Sequence, residues 1–407
     1  MRGRGFIRDT IIIGAGPSGS RLAFRLAELG YEVLVLDRKA AAGKEICCTG
    51  IVSRECLDEF GIDQSLVLRQ AGSAKLIMPS GKWLRFWRDD EVACILDRPA
   101  LDLALANQAQ EVGAEYSFDT RVSDIKHEDG GVRVRASCRG EDISFNARTA
   151  VLATGFGSPL LGRLGLGGVR DIIFGAQAKV KANGVDEVEV YFSRTLAPGG
   201  FAWLVPTSGG GGLAGLLTHS HPELRLNILL SDLQAQGKIE STDVEKGFAT
   251  VPRCSLPRTS TDRILVVGEA AGQVKPTTGG GIYYGLLCAD MAADSLHQAF
   301  TDGDFLRAGL RAYDRQWRAR LGWELRIGNW LCRIYGRLSH QRIEQLCRFG
   351  GASDVTHFIA GLESLPFDRH GALALKLLKY LAGRTSVRAA RALWRLVKPE
   401  PYPTESK

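Results

Sequence analysis

Short apolar runs and one helical repeat alternate over the first forty residues. Apolar runs lie at Ile11 to Ile13 and at Val33 to Leu36. Between them, leucines recur at the spacing of one helical face, at Leu22, Leu26 and Leu29. The pattern predicts a strand, a helix over about residues 18–29 that ends at Gly30, and a second strand.

Strand-like patterns dominate the chain as far as residue 266, and helical repeats dominate after residue 282. The periodicity predicts helices over 54–60 and 282–300, and a further helix that follows Asp102 and reaches Val112. It also predicts a hairpin over 74–88 that turns at 79–81, and strands over 115–145, 150–153, 177–181 and 188–192. The four glycines at 209–212 lie between two strand-like segments, which favours a hairpin turn over a flexible linker.

The C-terminal region combines helical periodicity with positive charge. Residues 305–400 hold 18 Lys and Arg against 7 Asp and Glu, a net charge of +11, and because the whole chain carries +7 the remainder sums to −4. From Leu373 to Val397 the arginines share one helical face, at Arg384, Arg388, Arg391 and Arg395, and apolar residues lie opposite, at Ala389, Leu393, Leu396 and Val397. Such a helix suits an anionic membrane surface or a solvated face packed against the protein.

A glycine-rich segment joins the first predicted strand to the first helix. Gly14, Gly16 and Gly19 have the G-x-G-x-x-G spacing. In dinucleotide sites the first glycine permits a tight turn, the second lets the backbone approach a pyrophosphate, and the third lets helix and strand pack closely. Asp37 ends the second strand, where a carboxylate can bind an adenosine ribose. The segment predicts a site for NAD or FAD.

A second glycine-rich segment lies about 250 residues further along the chain. A buried strand ends at Gly268-Glu269, and a bend containing Pro276 and Gly279 to Gly281 precedes the helix that begins at Ile282. Backbone N–H groups at a helix start hold negatively polarised atoms. Two such segments predict one elongated cofactor that is held at both ends.

Composition excludes several classes of protein. Of the 407 residues 45% are hydrophobic and 24% charged, as in ordinary globular proteins. The nine scattered cysteines include no C-x-x-C pair, which indicates neither a disulfide framework nor a metal site. No apolar run is long enough for a bilayer, and the N-terminus leaves no room for a signal peptide, so we expect a cytoplasmic protein. No nucleic-acid-binding module accompanies the basic region, so we expect no nucleic-acid partner.

Three segments resemble one family of flavoenzymes. Residues 198–206, Pro-Gly-Gly-Phe-Ala-Trp-Leu-Val-Pro, are similar to its P-x-x-Y-x-W-x-F-P motif. Lys44 and Cys47 match its K-x-x-C segment, and Pro276 with Gly279 to Ile282 matches a P-x-x-G-G-G-I segment. Over residues 8–300 the chain therefore resembles the geranylgeranyl reductase family of FAD-dependent oxidoreductases, on the para-hydroxybenzoate hydroxylase-like branch of the glutathione reductase superfamily.

The resemblance implies a bound FAD and assigns residues to its parts. It implies that Asp37 faces the adenosine ribose, Arg98 the middle of the cofactor, Glu269 the ribityl or pyrophosphate portion, and the backbone of Gly279 to Ile282 the flavin ring. The full predicted cofactor set is Gly14, Gly16, Pro17, Ser18, Gly19, Asp37, Arg38, Lys44, Arg98, Gly155, Gly268, Glu269, Gly279, Gly280, Gly281 and Ile282. The predicted substrate contacts are Phe201, Trp203 and Pro206, although Trp203 could equally be a core residue.

Some positions depart from the family pattern. Glu269 replaces an aspartate, Phe201 a tyrosine and Val205 a phenylalanine, and Cys48 stands where a glycine commonly follows the cysteine. The sequence Thr154-Gly155 replaces an Asp-Gly that is typical of the hydroxylases. This last change disfavours a hydroxylase function.

Pattern and resemblance together predict an α/β (α+β two-domain) fold. We expect a Rossmann-type FAD-binding domain over residues 1–70, 92–165 and 258–300. It is interleaved with an antiparallel β-sheet domain that binds substrate, over residues 71–91 and 166–257. A C-terminal helical region covers residues 301–400.

The leading functional hypothesis is reduction of carbon-carbon double bonds in a polyprenyl (geranylgeranyl-type) lipid or quinone side chain by hydride from reduced flavin. The reaction needs a proton donor, for which the candidates are Cys47, Cys48, Tyr191, Tyr283 and Tyr284, although such residues more often serve packing. The alternatives are a flavin monooxygenase that acts on an aromatic or lipid substrate, and a non-catalytic flavin-binding protein at a membrane.

The source of electrons follows from the count of glycine motifs. Because the chain contains one G-x-G-x-x-G, a second domain for a stably bound nicotinamide is not expected. Electrons are then expected from transient NAD(P)H or from a reduced carrier protein such as ferredoxin. The basic C-terminal region could bind an acidic carrier of that kind, or hold the protein peripherally at a membrane surface.

Overall fold

A computed structural model of the protein describes residues 7–352 and 355–384. The elements up to residue 152 are β1 (Ile7–Ile13), α1 (Pro17–Glu28), β2 (Val33–Leu36), β3 (Ile51–Ser53), α2 (Arg54–Phe60), β4 (Val67–Ala71), β5 (Ser73–Ile77), β6 (Trp83–Trp87), β7 (Ala93–Leu96), α3 (Arg98–Glu111), β8 (Glu115–Ser117), β9 (Thr120–Glu128), β10 (Gly131–Cys138) and β11 (Glu141–Leu152).

The later elements begin with a second set of strands and end in helices. They are α4 (Leu160–Arg163), β12 (Ile172–Lys181), β13 (Val188–Tyr191), β14 (Ala202–Pro206), β15 (Gly211–Thr218), α5 (Pro222–Ala235), β16 (Lys246–Pro252), β17 (Ser260–Thr261), β18 (Ile264–Val266), α6 (Ile282–Asp302), α7 (Arg307–Tyr335), α8 (His340–Ala352), α9 (Val355–Ala360) and α10 (His370–Arg384).

An eight-stranded sheet contains β1 and carries the first glycine segment. Its main order is β17-β18-β11-β1-β2-β8, with β10 and β9 continuing from β11, and β1 pairs in parallel with both β2 and β11. Ile12 packs into the core under α1, α3 and α6, whereas Ile11 and Ile13 pack into the core on the opposite face. The continuous apolar run at Ile11 to Ile13 therefore reflects a strand that is buried on both faces.

A seven-stranded sheet has the order β16-β12-β15-β14-β13-β5-β6. Its pairs are antiparallel except for β13 with β5, which run in parallel. Helix α5 packs on one face, and the other face carries Leu217, Val251 and Trp203. The strands of this sheet come from residues 71–91 and 166–257, in agreement with the predicted segments, while the domain boundaries themselves stay predictions. A third, small sheet has the order β3-β7-β4.

The structure confirms most short-range predictions. The helix over 54–60 and the strand over 33–36 have the predicted bounds, and β5 and β6 form the hairpin over 74–88. The glycines at 209–212 connect the antiparallel strands β14 and β15, as predicted. Helix α1 begins at Pro17 and ends at Glu28, because the proline fits the first helical position and shifts the start by one residue.

The helices after residue 305 pack on two parts of the molecule: α7 packs on α6 and β17, and α9 packs on β6. Trp317 of α7 is fully buried, and its Nε1 donates a hydrogen bond to Oγ1 of Thr259 at 2.8 Å. Helix α10 packs on α7. Of the predicted arginine face only Arg384 belongs to a described element, while Arg388, Arg391, Arg395 and the opposing residues Ala389, Leu393, Leu396 and Val397 lie outside the described residues. Over the part of the chain that the structure describes, every helix is too short or too polar to cross a membrane.

Candidate active site

The three glycines of the first loop differ in what surrounds them. Gly14 has φ +114°, and a Cβ there would lie 2.2 Å from the carbonyl oxygen of Ala153. A Cβ on Gly19 would lie 1.9 Å from the carbonyl oxygen of Gly14. At Gly16, by contrast, a Cβ would meet no protein atom within 4 Å. The fold therefore requires Gly14 and Gly19, whereas Gly16 leaves open space beside the start of α1, as a bound pyrophosphate would need.

Asp37 fixes the neighbouring turn. Its carboxylate accepts hydrogen bonds from the backbone N–H of Ala15 at 2.6 Å and of Lys39 at 2.8 Å. Each carboxylate oxygen still has a free lone pair, so the predicted ribose contact is compatible with this role. Arg38 is 57% exposed at 3.8 Å from Glu45, and Lys44 is an exposed residue that accepts a hydrogen bond through its backbone oxygen. These two basic residues thus lie at the protein surface.

The two glycine segments meet at Ser18. A Cβ on Gly268 would lie 2.4 Å from Oγ of Ser18, and a Cβ on Gly285 would lie 2.3 Å from the same atom. The starts of α1 and α6 therefore approach each other across the turn at Gly268. This is the arrangement that the prediction of one cofactor held at both ends requires.

The next charged residues of the site are Arg98 and Asp102. Arg98 is partly buried and Asp102 is buried, and the two form a hydrogen-bonded ion pair at 3.0 Å. Burial opposes the charge of Arg98, but the neighbouring Cys48 and Asp102 outweigh it and raise the pKa of the guanidinium. The pair therefore keeps the guanidinium of Arg98 in its cationic form.

Glu269 is an acid whose carboxylate has no hydrogen-bond partner in the described part of the chain. Its Oε2 lies 3.6 Å from the position that a Cβ on Gly155 would occupy. Among the described residues no group forms a hydrogen bond with its carboxylate. Burial raises the pKa of Glu269 from 4.5 to about 7, although the positive charge of Arg98 acts in the opposite direction. A carboxyl that is half protonated near neutral pH can donate to or accept from hydroxyl and phosphate groups, and both occur in FAD.

A cavity opens beside the second glycine-rich segment. It lies between the Cys47 loop, the open face of the seven-stranded sheet and the start of α6. Its lining includes Cys47, Cys48, Thr49, Ile51, Val52, Gln177, Trp203, Leu217, Val251, Lys275, Thr278, Gly279, Gly280, Gly281, Ile282, Tyr283 and Asp368. Three segments that are distant in the sequence thus share one cavity.

One row of residues crosses the sheet at the floor of the cavity. Gln177, Gly215 and Trp203 are neighbours on β12, β15 and β14. A Cβ on Gly215 would lie 2.5 Å from Cζ2 of Trp203, so the glycine makes room for the indole. Gln177 donates a hydrogen bond from Nε2 to the backbone oxygen of Cys48 at 3.2 Å. Its Oε1 and the Nε1 of Trp203 are buried and have no partner within the described chain. Unpaired buried polar atoms beside a cavity favour a bound ligand.

The predicted substrate contacts divide into two groups. Trp203 lines the cavity, and Phe201 packs behind it with ring centroids 5.7 Å apart. Pro206 is buried at the end of β14 and does not line the cavity.

The candidate proton donors divide in the same way. Cys47, Cys48 and Tyr283 line the cavity, whereas Tyr191 and Tyr284 do not. Tyr191 lies on the α5 side of the sheet, where it donates to Glu189 and lies 3.0 Å from Nζ of Lys238. Tyr284 donates to the backbone oxygen of Asp368 at 2.9 Å.

Burial sets the protonation of the donors that do line the cavity. It raises the pKa of the Cys47 thiol to about 11, with Cys48 and Glu269 adding to the shift. The hydroxyl of Tyr283 donates to Glu59 at 2.8 Å, and burial raises its pKa as well. Both groups are therefore neutral and carry their protons at physiological pH.

Sequence reasoning missed Gln177, Lys275 and Asp368. Lys275 adjoins the Pro276 motif, so its position was the one available signal. Gln177 lies inside a strand, and Asp368 lies in the loop between α9 and α10, far from any motif. Neither has a sequence pattern that points to the cavity.

Comparison with known proteins agrees with this geometry. The FAD binding domain family matches residues 8–212. The chain is 33% identical to the digeranylgeranylglycerophospholipid reductase of Methanosphaerula palustris, over 76% of this chain and 81% of that protein. This chain belongs to the geranylgeranyl reductase family of FAD-dependent oxidoreductases. The protein of the same name from Methanothrix thermoacetophila is 29% identical over 86% of this chain and 92% of its own length.

Solved structures share the fold of this flavoprotein. A geranylgeranyl bacteriochlorophyll reductase-like protein from Thermoplasma acidophilum superposes with a TM-score of 0.81 at 21% identity, covering 96% of this chain and 99% of its own. A flavin-dependent brominase superposes with a TM-score of 0.69 at 15% identity over 92% of this chain. The open space at Gly16 and the unpaired carboxyl of Glu269 fit FAD. The protein is therefore an FAD-dependent oxidoreductase with the fold that the sequence predicts.

Two glycine substitutions should separate cofactor binding from folding. Gly16→Ala should leave the free energy of unfolding of the FAD-free protein within about 0.5 kcal/mol, because the new methyl group meets no protein atom. It should weaken FAD binding about tenfold or more by filling the space for the pyrophosphate. Gly19→Ala, the matched control, should destabilise the FAD-free protein by about 1–3 kcal/mol through overlap with Gly14. Urea unfolding and FAD titration measure both effects; normal FAD affinity of the Gly16→Ala protein would contradict the proposed pyrophosphate site.

Glu269 should give the FAD-free protein a distinctive pH dependence. Since the folded state holds the proton up to about pH 7 and the unfolded state releases it near 4.5, stability should fall as pH rises between these values. Glu269→Gln should abolish this slope, which amounts to about 3–4 kcal/mol at most. Burial lowers the pKa of His370 to about 4 and gives a slope of opposite sign, but it is present in both proteins and cancels in their difference. Urea unfolding from pH 4 to 8 measures the difference, and parallel curves would exclude the raised pKa.

Proposed function

We propose that this protein saturates carbon-carbon double bonds of a polyprenyl lipid, of the geranylgeranyl type, or of a quinone side chain. The observation that carries the proposal is the shared cavity, in which the Cys47 loop, Trp203 and Gly279 to Ile282 come together. These are the segments through which the chain resembles geranylgeranyl reductases. The names of its relatives in Methanosphaerula palustris and Methanothrix thermoacetophila support a prenyl-lipid substrate.

The residues around the two glycine segments would hold FAD. Gly14, Gly16, Gly19 and the N-terminus of α1 would bind the pyrophosphate, and Asp37 the adenosine ribose. Arg98, Gly155 and Glu269 would bind the middle of the cofactor. FAD, when bound, supplies hydride transfer, which the protein supports by orientation and electrostatics.

The cavity would prepare the alkene for reduction. Trp203, Leu217 and Val251 form an apolar wall that would align a prenyl chain and exclude water. The N–H groups of Gly280 and Gly281, at the start of α6, donate no hydrogen bond within the described residues and would stabilise negative charge in the cavity. Among the proton-donor candidates we favour Cys47, whose Sγ keeps its proton at neutral pH and lines the cavity. Cys48 and Tyr283 are the remaining candidates in this cavity.

An assay of alkene loss tests this function. Purified protein with visible flavin absorption, reduced chemically with dithionite, should convert geranylgeranyl lipids to products of higher hydrogen content, measured by mass spectrometry. Trp203→Ala should lower kcat/KM about tenfold or more by removing the wall, whereas Phe192→Ala, behind the wall, is the matched control and should have a smaller effect. Loss of no double bond in any prenyl substrate would refute the reductase function.

The same assay distinguishes the other possibilities. Replacing dithionite by NAD(P)H or by a reduced ferredoxin identifies the electron donor, for which we propose one of these two classes. Substrate-dependent oxygen consumption without alkene loss would instead indicate a monooxygenase, a function found on related folds.

We further propose peripheral contact with an anionic membrane. Helix α10 exposes Leu375 and Leu378, which are 43% and 54% accessible, beside the exposed Lys376 and Lys379. Apolar and basic side chains on one helix surface favour an interfacial position, which would give the cavity access to lipid.

Liposome sedimentation tests this contact. Leu375→Ser with Leu378→Ser should reduce binding to vesicles of anionic phospholipid severalfold, because it removes the exposed apolar area. The control Leu224→Ser changes an equally exposed leucine, 58% accessible on α5, and should bind as the unmodified protein does. Undiminished binding of the α10 variant would assign any membrane contact to another surface.

A further inference from the structure

A buried ion pair lies at the edge of the cavity. Nζ of Lys275 is 2.5 Å from Oδ1 of Asp368, and their side chains are 6% and 2% exposed. Both residues line the cavity. Burial alone would raise the pKa of Asp368, but Lys275 lowers it below its usual range, so the pair is ionised. A buried pair of charges is weak evidence for stability, since desolvation offsets most of the attraction. Its position therefore calls for another explanation.

Lys275 lies against the loop that begins α6. Its backbone N–H donates to the oxygen of Gly280 at 3.0 Å, and its backbone oxygen accepts from the N–H of Gly279 at 2.8 Å. A Cβ on Gly280 would lie 2.6 Å from Cε and 3.1 Å from Nζ of Lys275. The ammonium group is thus folded over the backbone where the start of α6 is already positively polarised.

Asp368 is held in place from the other side. Its Oδ2 accepts a hydrogen bond from the backbone N–H of Ser53 at 3.2 Å, and its backbone oxygen accepts one from Tyr284. Arg369, the next residue, forms an ion pair with Glu55 at 2.9 Å. The loop between α9 and α10 is therefore fastened to the wall of the cavity, and it delivers one carboxylate to one lysine.

We propose that Lys275 tunes the reduction potential of the bound FAD, raising it, and that Asp368 is a positioning residue that fixes the ammonium at the start of α6 and moderates its charge. The inference rests on the proposed position of the flavin ring beside Gly279 to Ile282. Two-electron reduction with uptake of one proton adds a negative charge to the flavin, and a cation held in a cavity of low polarity stabilises that charge. The helix start and Lys275 act in the same direction.

Opposite shifts of the midpoint potential are the signature of this role. In FAD-loaded protein, spectroelectrochemical titration of Lys275→Met should give a lower potential than the unmodified protein, equivalent to roughly a tenfold smaller ratio of reduced to oxidised FAD at a fixed applied potential. Asp368→Asn should shift the potential upward, because the lysine loses its counter-charge. Lys275→Arg, which keeps the charge, should stay closest to the unmodified protein.

A double variant keeps the test valid if a single substitution impairs folding. Lys275→Met with Asp368→Leu leaves no unpaired buried charge, and its potential should lie below that of the unmodified protein, because the cation beside Gly280 is lost. Shifts in the same direction for Lys275→Met and Asp368→Asn, or no shift in any variant, would overturn the inference and leave the pair a structural link. Failure of the unmodified protein to bind FAD would instead refute the proposed function itself.

Discussion

The site depends on the close approach of two helix starts at Ser18. The side chain of Ser18 lies where a Cβ on either Gly268 or Gly285 would be, so the starts of α1 and α6 can meet only across glycine. Both helix starts carry unsatisfied N–H groups, and both then face one groove. A larger residue at Gly268 or Gly285 would push α6 away from the sheet and separate the start of α6 from the start of α1. One steric constraint therefore makes two weak anion sites into a single elongated one.

The sequence was most informative where a feature is local. The run Ile11 to Ile13, the glycine loop and Asp37 lie within thirty residues, and their spacing alone predicts a strand, a turn and a helix around a dinucleotide. The hairpin of β5 and β6 was equally accessible, because alternation and a turn signal specify it. The parallel pairing of β13 with β5 was not, since it joins segments more than a hundred residues apart and no periodicity encodes that choice.

The candidate proton donors show where residue type stops being informative. Tyr191 and Tyr283 are both tyrosines near family motifs, yet Tyr191 on β13 lies on the α5 side of its sheet while Tyr283 on α6 lines the cavity. The face of a strand depends on its register with its neighbours, and one residue of shift exchanges the two faces. For the same reason Gln177 could not be predicted, because its importance arises from the row that it forms with Gly215 and Trp203 across three strands.

The cavity also contains a residue from the C-terminal helical region, where the sequence offers no motif. Asp368 follows two short helices and belongs to no motif, yet its carboxylate reaches the lysine that folds over the start of α6. The resemblance covers residues up to about 300, so it includes the segment of the lysine but not that of its partner. A positive charge without a counter-ion would be costly to bury at this position. The region after residue 305 therefore supplies the counter-ion of Lys275. A chain that lacked this region would expose Lys275 to water and weaken its influence on any negative charge nearby.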